Sequence, residues 1–190
     1  MTAGQSAETS AGTVEADPAS PRSTRPRLVA TALDAVIVLV WFAAAGTLGA
    51  VVWWQVTTLP KVTKAGGSGT LAPAELVEQV QLDGWFFAVA AVGGLLSGVV
   101  LLFWRRRDPV SMVVLVAVGG GLASWLMIHV GAALGPGPVL EALRGLPEGA
   151  QVSTQLELHA PGIAWIWPVA AVLGALLELW LLQLPDDDEQ

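Results

Sequence analysis

The sequence predicts an all-α membrane protein, a bundle of four transmembrane helices with small, partly ordered extracytoplasmic loops that include a short β pairing. Three observations carry this prediction. Of 190 residues, 54% are hydrophobic and only 13% charged, with a mean hydropathy of +0.62, which is too apolar for an ordinary soluble domain. Four apolar stretches, at about 28–56, 85–104, 110–134 and 163–184, each reach the roughly 20 residues needed to cross a ~30 Å hydrocarbon core. The basic residues are also lopsided: Arg22, Arg25, Arg27, Arg105, Arg106 and Arg107 flank one side, leaving only Lys61, Lys64 and Arg144 for the other. By the positive-inside rule the arginine side is cytoplasmic, which predicts a multi-pass cell-membrane protein with both termini inside.

Residues 1–27 are rich in Ala, Ser, Thr, Pro and Gly. Such a stretch cannot bury enough apolar surface to offset its ordering entropy, so it reads as a disordered cytoplasmic tail. The first span follows; it is too long, and its preceding tail too extended, for a cleaved signal peptide. The second and third spans are joined by the tight turn Arg105-Arg106-Arg107-Asp108-Pro109. Residues 185–190 form an acidic cytoplasmic tail, which counts little in the positive-inside rule.

The two longer loops carry their own patterning. In the first, Gly66-Gly67-Ser68-Gly69 reads as a flexible stretch, after which Pro73 opens a short helix running toward Asp83. In the second, Val139 to Leu143 suggests a helical turn. Val152, Thr154, Leu156 and Leu158 then alternate with polar neighbours up to His159, the period of a strand. An isolated strand is marginal in water, so this one is expected to pair with the segment around Val56 to Val62 in a small external cap.

Tryptophans mark the boundaries. Trp53, Trp54, Trp85, Trp165 and Trp167 are expected in the outer aromatic belt, and Trp104 and Trp180 in the inner one. Trp41 and Trp125 lie deeper and read as packing filler. Small residues four apart, Gly46 with Ala50, Gly93 with Ser97, Gly94 with Gly98, and Ala170 with Gly174, predict close helix contacts. An internal echo is also present: Val89-Ala90-Ala91-Val92-Gly93-Gly94 resembles Val169-Ala170-Ala171-Val172-Leu173-Gly174, and Val38-Leu39-Val40 resembles Val114-Leu115-Val116. Two hairpins related by an axis along the membrane normal would produce it, and so would chance similarity between low-complexity apolar segments.

With its arginine turn, its two medium-sized outer loops and the segment Asp83-Gly84-Trp85-Phe86-Phe87 leading into the second span, the chain resembles a family of uncharacterised four-helix integral membrane proteins from actinobacteria. The resemblance covers residues 28–184. It implies location and architecture; no activity and no functional residue comes with it.

Composition excludes several function classes. A net charge of −7 with no basic face argues against nucleic-acid binding. The absence of cysteine removes disulfides, thiolate catalysis and cysteine metal sites. There is no phosphate-binding loop and no HExxH, and Thr70 stands where a Gly-x-Ser-x-Gly motif would need its last glycine. No catalytic residue, cofactor or metal site is assigned, and the chain is not expected to be an enzyme.

Ionisable residues within a membrane cost about 2.5 to 3.5 kcal/mol each at mid-bilayer and so need a reason. Asp34 and Glu178 each lie six residues inside the cytoplasmic end of a span, ~9 Å deep at 1.5 Å per residue. At equal depth they could share a proton or cation, or each could reach water, backbone or an arginine and merely orient its helix. His129 lies near the outer end of the third span. With Asp83, Glu157 and His159 on the outer face it could form a metal site or a catalytic cleft. The leading expectation is a structural or accessory membrane protein, a subunit of a cell-envelope complex. Its partners would be the lipid bilayer together with a membrane protein or further copies of itself. A small proton- or cation-coupled transporter using Asp34 and Glu178, and a membrane enzyme acting on lipid or envelope precursors, are the alternatives.

Overall fold

The computed structural model describes residues 25–182 apart from 67, 71, 72 and 105–108. Residues 1–24 of the predicted N-terminal tail, with Arg22, the acidic tail and the triple-arginine turn therefore lie outside the described residues, while 25–27, read as part of the disordered tail, are instead the first turn of α1. Four helices are long and apolar enough to cross a membrane. In chain order the elements are α1 (Arg25–Val56), β1 (Lys61–Ala65), β2 (Ser68–Thr70), α2 (Pro73–Trp104), α3 (Pro109–Leu134), the single turn α4 (Val139–Ala142), β3 (Gln151–Ser153), a 3-10 turn (Pro161–Trp165) and α5 (Ile166–Leu181).

Backbone groups in hydrocarbon must be satisfied internally, so continuous helices are the expected spanning form. Two boundaries differ from the sequence reading. The short helix opened by Pro73 does not stop at Asp83 but runs on into the second span, making one 32-residue helix; nothing between Pro73 and Trp85 breaks it, and Pro at a first helical position is well tolerated. The fourth span starts instead as a 3-10 turn with Pro161 at its N-terminus. Pro168 then falls in the first turn of α5, where helical N–H groups have no intrahelical acceptor to lose.

The helices pack as two parallel pairs, α1 with α3 and α2 with α5, and glycine permits both. A β-carbon on Gly46 would lie 2.5 Å from the Ala123 carbonyl oxygen, and one on Gly94 would lie 2.6 Å from the carbonyl oxygen of Trp167. Phe42 packs on Gly119 and Trp53 on Gly131 across the first pair, while Gly98 meets Ala171 and Ala175, and Gly174 meets Leu95, across the second. These partners stand 73 to 79 positions apart in sequence, close to the offsets of the internal echo, 76 and 80. Each helix thus meets its own counterpart at nearly equal height, as a pseudo-twofold axis along the bundle requires. The expected small-residue contacts at Gly46, Gly94 and Gly98 are present, and Gly119, Gly120 and Gly131 join them.

At the end where α1 stops and α2 starts sits the cap. Its sheet has the order β2-β1-β3, with Lys61 opposite Ser153 and Val62 opposite Val152, and with Lys64 opposite Gly69 in the β1–β2 hairpin. The pairing of the two loops was expected, but β1 begins further along than the predicted segment. The stretch read as flexible contains β2 instead, its hairpin turn using Gly66 at φ +59°, a conformation open to glycine. The predicted strand to His159 is cut to three residues. Beyond Thr154, whose N–H donates to the Pro60 carbonyl, Leu156 leaves the sheet and is buried against Gly131 and Gly135 at the end of α3. Val62 and Leu143 form the small apolar centre of the cap, and Glu75 of α2 accepts the Lys61 backbone N–H at 2.7 Å.

Replacing Gly46 with Val should force α1 and α3 apart, because the clash is with backbone and no flexible side chain can yield. The expected loss is about 1 to 3 kcal/mol, read as earlier thermal unfolding in detergent. Gly84→Ala, which meets nothing within 4 Å, should leave unfolding unchanged or slightly delayed.

Candidate functional site

Two regions combine shape with chemistry, one at the junction of cap and bundle and one on the membrane-facing side of α1 and α2.

At the junction, Asp83 of α2 is 9% exposed. Its two carboxylate oxygens accept the backbone N–H groups of His159 at 3.1 Å and Ala160 at 3.0 Å. Bonds of this kind to a charged acceptor contribute about 1.5 to 3 kcal/mol each. Here they tie the second loop to α2 just before the 3-10 turn, whose flanking residue is Ala160. The His159 ring lies between two α2 side chains, one turn apart: Nε2 is 3.2 Å from the Gln79 amide nitrogen and Nδ1 is 4.0 Å from Asp83 Oδ1. With Gln79 donating, Nε2 is the acceptor and Nδ1 carries the proton toward Asp83, too far for a hydrogen bond. Glu157 is exposed and, with Gln79, Leu140, Thr154 and His159, borders a shallow cleft of about 300 Å³.

Of the four outer residues, the structure thus brings Asp83, Glu157 and His159 into one neighbourhood and leaves His129 out. The His129 ring turns back on its own helix, with Nδ1 2.8 Å from the Trp125 carbonyl oxygen, and stacks at 4.3 Å on the Trp125 ring. Among the described residues no three His, Asp or Glu side chains gather as metal ligands.

The inner carboxylates sit on different helix pairs. Glu178 is buried at 7% exposure on α5, on the stripe it shares with Ala171, Gly174 and Ala175, and Asp34 is half-buried on α1. The extended interfaces of α1 are with α3 and α2, and those of α5 with α2 and α3; among the described residues none joins α1 to α5. Arg25 and Arg27 fall in the first turn of α1.

The second region was not anticipated. α1 and α2 meet closely at the cap end, where buried Trp53 donates its indole N–H to the Leu82 carbonyl at 3.0 Å and stands edge-on to Phe86. Below that contact a lateral groove of about 670 Å³ separates them. Ala45, Gly49, Ala88, Gly93 and Ser97 leave its base open, and Trp41, Leu48, Val52, Trp85, Val92 and Leu96 rise along its sides. The floor is Trp167, which reaches from α5 to touch both Gly49 and Gly93. Trp53 and Trp167, expected in the outer belt, are therefore core residues, 0% and 1% exposed. Conversely Trp41 and Trp125, expected as filler, lie on the surface. Trp54, Trp85, Trp104, Trp165 and Trp180 are exposed. The Trp167 indole N–H is buried without an acceptor, an arrangement that costs about 1 to 3 kcal/mol. Spacing alone could not reveal the groove, because it arises where two helices fail to touch and a third fills in from behind.

A smaller dent of about 240 Å³ lies between α3 and α5. The echo offsets carry Ala45, Leu48, Val52, Trp85 and Ala88 of the groove onto Gly121, Ser124, Ile128, Trp165 and Pro168 of the dent. Gly49 maps to Trp125. The same place in each hairpin is thus hollow in the first and largely closed in the second, where Ser124 donates to the Ala164 carbonyl at 2.6 Å.

No protein-family model matches the chain, and no curated protein or solved structure is detectably similar to it.

Asp83→Ala should unlock the junction: about 2 kcal/mol or more of stability lost, with the amides of His159 and Ala160 exchanging faster than those of the β1–β3 pairing. Unchanged protection at 159 and 160 would show that the carboxylate does not hold the loop.

Proposed function

We propose that this chain is an accessory multi-pass membrane protein, a subunit of a cell-envelope complex, that works by binding within the membrane along the α1–α2 face. The carrying observation is the combination of a filled interior with one large hollow on the outside. Val38, Phe42, Met112, Val116 and Met127 pack the interior to 3% exposure or less, while the groove opens sideways and its exposed lining is almost wholly apolar. A conducting or transporting protein needs polar groups along its path; here the two inner carboxylates lie on helices without an extended common interface. A catalytic reading needs free acid or base groups around a cleft, whereas both oxygens of Asp83 are occupied by backbone.

In this reading the cap faces the outside and both ends of the chain face the cytoplasm. Support comes from the six arginines and from the parallel pairing, which sets the start of α1 and the end of α5 at the same end of the bundle, away from the cap.

Benzophenone side chains introduced at Leu48 or Val92, on the groove rims, should crosslink in native membranes to a discrete set of products. At Val114, exposed on α3 away from the groove, they should give only diffuse labelling. Equal, diffuse labelling at all three positions would overturn the proposal.

A further inference from the structure

We infer that the α1–α2 groove is a binding site for one hydrocarbon chain of a membrane lipid, entering from the leaflet on the cap side; this rests on the lateral-binding reading above. The first argument is position. Val52 and Trp85, at the upper end, lie within a few residues of Val56 and Asp83, where α1 stops and the cap junction begins. From there the lining runs down α1 to Trp41 and down α2 to Val100, some ~16 to 22 Å along the helix axes at 1.5 Å per residue. The hollow is thus a channel parallel to the lipid chains, open to them along its length.

The second argument is size and shape. The groove's volume, about 670 Å³, is spread over ~16 to 22 Å of helix length, which makes it narrow and elongated. Close helix packing needs small residues at the contact so that backbones can approach, and here the small residues lie at the base, behind rims that include Trp41, Leu48, Trp85 and Leu96. Such rims hold a third helix away but admit a single chain.

The third argument comes from the other hairpin. At the corresponding place Trp125 and Pro168 stand where the groove has Gly49 and Ala88, and only the small dent is left. This fold can therefore close the position with ordinary side chains, yet the first hairpin keeps it open with alanine and glycine. A packing defect has no such counterpart that repairs it.

The test uses the full chain in phosphatidylcholine vesicles doped with a phosphatidylcholine bearing a diazirine along one acyl chain, with adducts located by mass spectrometry after irradiation. Adducts should concentrate on residues 41–52 and 85–100, severalfold above Val114 and Val118 of α3. Ala88→Phe, which fills the base, and Leu96→Trp, which covers it from the rim, should each remove the groove adducts while thermal unfolding shows a folded protein. Labelling spread evenly over the four spans, or groove adducts that survive in both folded variants, would overturn the inference. If the benzophenone at Leu48 or Val92 instead captures a single protein in native membranes, lateral binding stands and the occupant is a helix. Failure of both experiments removes the binding reading itself.

Discussion

Close backbone approach is the constraint on which the rest of this structure depends. Lipid tails are as apolar as leucine, so helices in a bilayer gain nothing by hiding hydrophobic surface from one another; they associate where van der Waals contact between them is better than contact with lipid. Gly46 against Ala123, and Gly94 and Gly98 against Ala171, supply such contact for α1 with α3 and for α2 with α5. With those two pairs tight, α1 and α2 are not tight along their whole length. They touch at the cap end through Trp53 and Phe86 and part below it, and Trp167 fills part of the gap. The groove is thus a consequence of where glycine was placed.

The same constraint explains what the sequence revealed and what it hid. The number of spans and their limits on α1 and α3 followed from length and hydropathy, since the bilayer sets both. The pairing of the two loops was legible from the alternation around Val152, because a half-buried strand must show period two. The end of β3 was not, because Leu156 fits the alternation equally well whether it continues the sheet or drops onto Gly131. The tryptophans divide on similar grounds. Trp54 and Trp53 are neighbours with the same depth, and only the direction each faces, one to lipid and one to Leu82, separates a belt residue from a core residue.

The candidate residues show this limit most clearly. Asp83 and His159 were singled out for their chemistry, and they do meet, but the geometry uses Asp83 as a double acceptor for backbone N–H groups. A buried carboxylate can be stabilised by such bonds without any catalytic role, and no one-dimensional reading distinguishes the two uses. Asp34 and Glu178, read at equal depth, lie on helices of different pairs. The groove had no sequence signature of its own, although two of its parts, Gly93 and Ser97, were in view as a small-residue pair.

The internal echo supplies the remaining step. By the echo offsets the two hairpins present two corresponding lateral positions, and under equal packing pressure such positions should fill alike. They have not: Trp125 occupies the site of Gly49, Pro168 that of Ala88, and Ile128 that of Val52. The second hairpin also draws α3 and α5 together, with the Ser124 hydroxyl bonded across to the start of α5. Closing the first in the same way would bury more surface and let Trp167 be displaced from a position where its N–H lacks an acceptor. An unmatched buried donor and an unfilled hollow both lower stability, and both lie where Trp167 of α5 meets the α1–α2 groove. Sites that carry such costs are drawn disproportionately from those with a task to perform, which makes the α1–α2 face, more than either carboxylate cluster, the part of this protein to pursue.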